Sequence, residues 1–193
     1  MIAIEVSIPQ IKELREAIQG VKTNINREIA AAVNATARKV RTQAARALKQ
    51  ELTVPVRILK KAITSKSKAT KDRPTAIVRL WNGYPIPLKY FKAKQTKKSG
   101  VTYKINPKHG RRSIMRDAFI VTKYGGAVVK RVSKERGPLE VQYGPSPGTA
   151  FERGNVLKVA RATAEAELPK EMKRRIRLVL LRAAGKLPQN RGR

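Results

Sequence analysis

The sequence predicts an α+β protein: a small, twisted antiparallel sheet packed by a long N-terminal helix and a C-terminal helix, with long basic loops. Three observations carry this. Apolar residues recur every three or four positions from Val21 to Leu52, and again from Leu168 to Ala183. Between Pro74 and Tyr143 the period drops to two, with glycine-, asparagine- or proline-containing turns between the runs. Those turns are short, which favours antiparallel hairpins over βαβ crossovers. The expected organisation is a single domain over residues 1–185, with the long helix at 21–52, the sheet region at 74–143 and the C-terminal helix at 155–184. Residues 186–193 form a basic tail expected to be disordered.

At the start of the chain two readings stand. Pro9 with Ile8, Ile11, Leu14 and Ile18 fits a helix, whereas the alternation of Ile2, Ile4 and Val6 fits a short strand before it. The next segment carries the strongest signal. Val21, Ile25, Ile29, Val33, Thr36, Val40, Ala44, Leu48 and Leu52 mark one helical face, alanine fills many neighbouring positions, and neither glycine nor proline interrupts. On the other side Arg27, Arg38 and Lys49 are spaced so that they return to nearly the same helical angle, flanked by Arg41 and Arg46. One face packs and the other is cationic.

Thr53-Val54-Pro55 breaks this helix, with Thr53 the expected cap of a short second helix through Val56, Leu59 and Ile63. The polar run TSKSKATKDRP after it reads as flexible. Strands are expected near 75–81, 86–91, 101–105, 118–122, 127–133 and 139–143. Asn82-Gly83, Ser99-Gly100, Asn106-Pro107, Gly125-Gly126 and Gly137-Pro138 separate them. Ser146-Pro147-Gly148-Thr149 closes the section. The last helix runs from about Asn155 to Ala184, bent or restarted at Pro169. Leu168, Met172, Ile176, Val179, Leu180 and Ala183 form its apolar stripe, and Gly185 is its expected C-cap.

Charge narrows the function. Lysine and arginine total 44 against 13 acidic residues, a net charge of +31, which favours a partner that supplies negative charge. The excess is localised: from Arg73 to Arg116 there is no acidic residue. Its densest part places Lys92, Lys94, Lys97, Lys98, Lys104, Lys108, Arg111 and Arg112 across predicted loops, where they suit phosphate contact without base readout. The helix face of Arg27, Arg38, Arg41 and Lys49 is a second cationic surface. Aromatic residues are 5%, too few for a base-stacking platform, and no helix-turn-helix, zinc-finger or RNP pattern occurs. DNA contact is therefore expected to be non-specific.

Catalytic chemistry is poorly supplied. There is no cysteine, no GxxxxGK[ST], no HExxH and no paired-carboxylate motif. Asp72 and Asp117 sit among basic residues, and His109 lies in a turn without a nucleophile or orienting carboxylate nearby. No enzyme activity, cofactor or metal is expected. The N-terminal segment lacks a signal-peptide pattern and no window approaches a membrane span, so the reading is a soluble protein with no membrane contact.

The order of features has a precedent. AAAVNATARKVRTQAARALKQEL leads into VPVRILKKAI, then come a basic strand region and GRRSIMRDAFIVTKYGGAVVKRV, and LEVQYGPSP precedes ELPKEMKRRIRLVL. Over roughly Ala30 to Leu180 this resembles the minor tail protein Z family of tailed phages and prophages, also described as tail completion proteins. The sharpest match is Ala118-Phe119-Ile120 with its glycine turn, valine strand and Arg131. The resemblance implies a virion protein, assembled in the host cytoplasm, at the head-proximal end (neck) of the tail and required for head–tail joining. It implies an oligomeric ring, six- or twelve-fold, around the DNA channel. Tail terminator, tail tube and head–tail connector proteins would be neighbours, with non-specific contact to genomic DNA. In such a ring the Ala-rich helix face would pack against neighbouring subunits. The basic loops would face DNA or acidic protein surfaces. The rival reading of the same charge is a cellular, non-specific nucleic-acid-binding protein of ribosomal or chromatin type.

Overall fold

The structure, a computed structural model, describes residues 2–6, 25–80, 85–108, 111–134, 137–153 and 155–184. It is an α+β fold with a long N-terminal helix, a C-terminal helix and small sheets. The helices are α1 (Ile25–Glu51), α2 (Val56–Ala62), α3 (Pro147–Arg153) and α4 (Val156–Ala183). The strands are β1 (Ile2–Val6), β2 (Ile63–Ser67), β3 (Ala76–Leu80), β4 (Lys94–Thr96), β5 (Gly100–Tyr103), β6 (Ser113–Met115), β7 (Ala118–Val121), β8 (Ala127–Arg131) and β9 (Leu139–Val141). They form three sheets, ordered β1-β3-β2, β4-β5-β6 and β7-β8-β9. The chain divides into two compact units. One takes Ala44–Ile63 and Leu80–Val159. The other takes Ile2–Gln43, Thr64–Arg79 and the described residues from Ala160 on.

In the second unit, α1 forms where the sequence is alanine-rich, with Glu28 in its first turn and Lys49 in its last, both favourable to the helix dipole. Ile29, Ala32, Val33, Thr36 and Val40 are buried as the periodicity requires, and so are Ala30, Ala35 and Ala37. The alanine face is therefore covered within the chain itself, and does not stand open for a neighbouring subunit. Met172 packs with Ile29 and Ala32, joined by Ile25 and Leu168.

Ion pairs flank this contact. Glu28 receives Arg175 at 3.0 Å and Arg182 at 3.1 Å, and Lys39 bridges Glu167 at 2.6 Å and Glu171 at 2.9 Å. Asn34, a poor helix former, earns its place by clamping the peptide of Ala69. Its Nδ2 donates to the Ala69 carbonyl and its Oδ1 accepts from the Ala69 N–H, both at 2.9 Å.

The Lys39 bridge makes this unit acid-sensitive. The Lys39 ammonium holds the Glu167 and Glu171 carboxyls below their ordinary 4.5, helped by Lys170 and Arg174 respectively. Lys39 itself is raised above 10.5, first by Glu167 and then by Glu171. Carboxyls depressed on folding add stability that is complete above their unfolded value and is lost as pH falls through the folded one. Lys39 adds stability below its ordinary value and loses it as pH rises through the folded one. The denaturation midpoint should thus fall as pH drops below about 4.5, and Glu171→Gln should flatten that acid limb. An unchanged acid limb in Glu171→Gln would refute the assignment.

In the first unit α1 ends at Glu51; the Leu52 N–H still reaches the Leu48 carbonyl at 2.8 Å, while the Thr53 N–H turns to the Ile105 carbonyl at 2.7 Å. Thr53 does not cap α2. The cap position is Pro55, without a side-chain bond, because the Pro55 carbonyl itself receives the Ile58 and Leu59 N–H groups. Phe91, Leu48, Leu59, Leu88, Val101, Val128 and Val129 form fully buried side chains here.

Other expectations need correction. The stretch 86–91 is not a strand but a 3₁₀ turn at Leu88–Tyr90. Pro85 and Pro87 lack the N–H a ladder needs, so pairing is limited to a bridge between Pro87 and Tyr143. The run expected to be flexible after Lys61 contains β2, and Pro147-Gly148 opens α3, which buries Ala150 and Phe151. Proline is tolerated in a helical first turn. Pro169 neither ends nor restarts α4, and Leu180 on its expected apolar stripe is 50% exposed. The alternative of a strand at Ile2–Val6 is realised. The helix reading around Ile8–Ile18, Val21, the Asn82-Gly83 turn, Gly185 and the tail lie outside the described residues.

Candidate polyanion interface

The basic block is built on the β4-β5-β6 sheet. β4 and β5 pair antiparallel with Lys94 opposite Thr102, Gln95 opposite Val101 and Thr96 opposite Gly100. β5 and β6 pair with Val101 opposite Met115, Thr102 opposite Ile114 and Tyr103 opposite Ser113. Directly paired residues share a sheet face. One face therefore carries Gln95, Val101 and Met115. Val101 on it is fully buried, and the Gln95 Oε1 accepts the Ile120 N–H at 2.9 Å. The opposite face carries Lys94, Thr102 and Ile114, of which Lys94 and Ile114 are exposed.

The turn between β4 and β5 presents Lys97 and Lys98. Thr96 organises it: its Oγ1 accepts the Ser99 N–H at 3.2 Å and donates to the Gly100 carbonyl at 2.7 Å. Gly100 takes φ +83°, and a Cβ there would lie 2.3 Å from the Met115 carbonyl oxygen. Only glycine allows β5 to begin so close to β6.

The sequence-predicted cations fall into two groups. Lys92, Lys94, Lys97, Lys98 and Arg111 are exposed, and none makes an ion pair among the described residues. This follows from the acid-free block, since no local carboxylate is available. The side chains of Arg112 and Lys108 are engaged instead. Arg112 straps the sheet: Nη2 donates to the carbonyls of Lys92 at 2.5 Å and Thr102 at 2.9 Å, and Nε to the Thr102 hydroxyl at 3.3 Å. Lys108 pairs with Glu51 at 2.5 Å, while its N–H is held by the Asn106 side chain at 2.8 Å. Lys104 is half-buried, its N–H bonded to the Phe91 carbonyl at 2.9 Å. On α1, Arg27, Arg38 and Lys49 are exposed and Arg41 is half-buried.

Two features escaped the sequence. Ile114 is 56% exposed on the sheet face that carries Lys94. Its only sequence signal was a lone apolar pair within RRSIMR. Asp117, which the sequence places among basic residues, adopts φ +61° in the turn between β6 and β7. His109 lies outside the described residues. Among the described residues no cluster of three or more His, Cys, Asp or Glu could hold a metal, and no helix is long and apolar enough to cross a membrane.

Fold and surface together define an α+β scaffold protein that presents exposed cations, without ion pairs among the described residues, on a small sheet and its loops. The model of the family described as prophage minor tail protein Z (GPZ) matches residues 10–184. The chain belongs to that family and is a structural protein of the phage tail, a component of the virion. No curated protein and no solved structure matches it. The hairpin β7-β8 explains the sharpest sequence match. Ala118, Phe119, Ile120 and Val121 pair with Lys130, Val129, Val128 and Ala127, the two glycines turn at φ +62° and +74°, and Arg131 lies 5.6 Å over the Phe119 ring.

Proposed function

We propose that this tail protein acts as the tail completion component at the head-proximal end of the tail, in the neck. It forms an oligomeric ring, six- or twelve-fold, around the DNA channel, between tail terminator or tube proteins and the head–tail connector, and so permits head–tail joining. One observation carries the contact with DNA. Five exposed cations, Lys92, Lys94, Lys97, Lys98 and Arg111, stand without carboxylate partners among the described residues on one small sheet and its loops. Such charges displace counterions from phosphates whatever the base sequence. They serve a genome that slides past, not one that is read.

The test is a quintuple Gln variant at these five positions, leaving the strap Arg112 and the paired Lys108 in place. Its melting temperature should match wild type. The slope of log affinity for duplex DNA against log salt should shrink by up to about 4 units, at roughly 0.9 per lost phosphate contact. Complemented phage should accumulate unjoined heads and tails. An unchanged slope together with normal joining would overturn the proposal.

A further inference from the structure

We propose that the free edge of β6 docks an extended acidic segment of a partner protein, which adds a strand beside Ser113–Met115 and seats an apolar side chain on Ile114. In the order β4-β5-β6 this strand has a neighbour on one side only among the described residues, so its outer row of N–H and C=O groups is a template for another strand. Beside it lies a groove of about 540 Å³ lined by Ile105, Asn106, Arg111, Arg112, Ser113 and Ile114. Ile114 lines it and is 56% exposed.

The chemistry of the groove selects the occupant. DNA phosphates gain nothing from an isoleucine, and a strand edge offers bases no pairing in register. An apolar centre within a charged rim is instead the anatomy of a protein contact. Among the described residues the charged groups at the groove are cationic: Arg111 and Arg112 line it, and Lys94 lies on the same sheet face as Ile114. A second copy meeting this one through the same block, Arg73 to Arg116, would bring no acid, and like charges would meet. An acidic strand complements both the rim and the edge. This site shares Lys94 and Arg111 with the surface proposed to touch DNA, but Ile114 and the strand edge belong to it alone, so the Ile114 variant separates the two assignments.

The experiment titrates the intact protein with a short synthetic peptide of alternating glutamate and valine. Polyglutamate of equal charge, the same peptide N-methylated at alternate residues, and a duplex oligonucleotide serve as comparisons. The alternating peptide should bind about tenfold more tightly than either peptide control. Ile114→Ser should remove that preference while leaving duplex affinity unchanged. Because Ile114 is exposed, its replacement leaves the fold intact, which the melting temperature checks. Equal binding of the N-methylated peptide or of polyglutamate would overturn the proposal. So would insensitivity to Ile114→Ser, Ile114-dependent duplex binding, or self-association abolished by Ile114→Lys.

Discussion

Phe91→Ala is expected to destabilise the protein by about 3–5 kcal/mol, the range for deleting a fully buried phenylalanine. Its side chain is 0% exposed. Its main chain is fixed as well, with the N–H bonded to the Leu88 carbonyl at 3.0 Å and the carbonyl receiving Lys104 N–H at 2.9 Å. The surroundings therefore cannot collapse easily into the space left behind. The ring rests on Gly144, where an added Cβ would meet ring carbons at 2.5 Å, and the Gly144 N–H is held to the Ile86 carbonyl at 2.8 Å. This supplies an internal check. Gly144→Ala alone should cost about 1–3 kcal/mol by overpacking. In the Phe91→Ala background the same methyl should become neutral or helpful, so the two substitutions should be strongly non-additive. Additive losses in denaturant titrations would show that the ring does not rest on Gly144.

Gly100→Ala should cost about 2–4 kcal/mol, combining the strain of a positive φ in a residue with a side chain and the displacement of a neighbouring strand. The obstructing atom is the Met115 carbonyl oxygen, part of the backbone of β6, which no rotamer change can move. Gly126→Ala separates the two contributions. Gly126 also has a positive φ, of 74°, but nothing lies within 4 Å of a Cβ there. It should lose only about 1 kcal/mol. The effect of Gly100→Ala should also be local. Hydrogen exchange should accelerate in β4, β5 and β6, where Thr96, Gln95 and Arg112 tie the sheet together, while β7 and β8 stay protected. Equal losses at Gly100 and Gly126 would mean that the close strand approach does not limit the fold.

The candidate site was legible in part. An acid-free block is a property of composition along the chain, so the exposed lysines and Arg111 could be picked out without coordinates. Which cations remain available was not legible. Arg112 and Lys108 look the same as their neighbours in sequence, yet one is spent on backbone carbonyls and the other on Glu51, which is remote in sequence. Lys39 shows the same effect, meeting Glu167 and Glu171 from α4.

By itself the sequence determined the α+β class, the long alanine-rich helix and the hairpin of Ala118–Val121 with Ala127–Arg131. These rest on local periodicity, helix propensity and glycine turns, which act between neighbours in the chain. It also determined the family, with the same order of segments spread over most of the chain. Tertiary structure alone decided that the alanine face is covered and that Pro169 passes through a continuous helix. It decided as well that Ile114 is exposed on an open edge. In each of these the outcome depends on groups remote in sequence that satisfy or leave open a backbone bond or an apolar surface, and no local pattern records which will arrive.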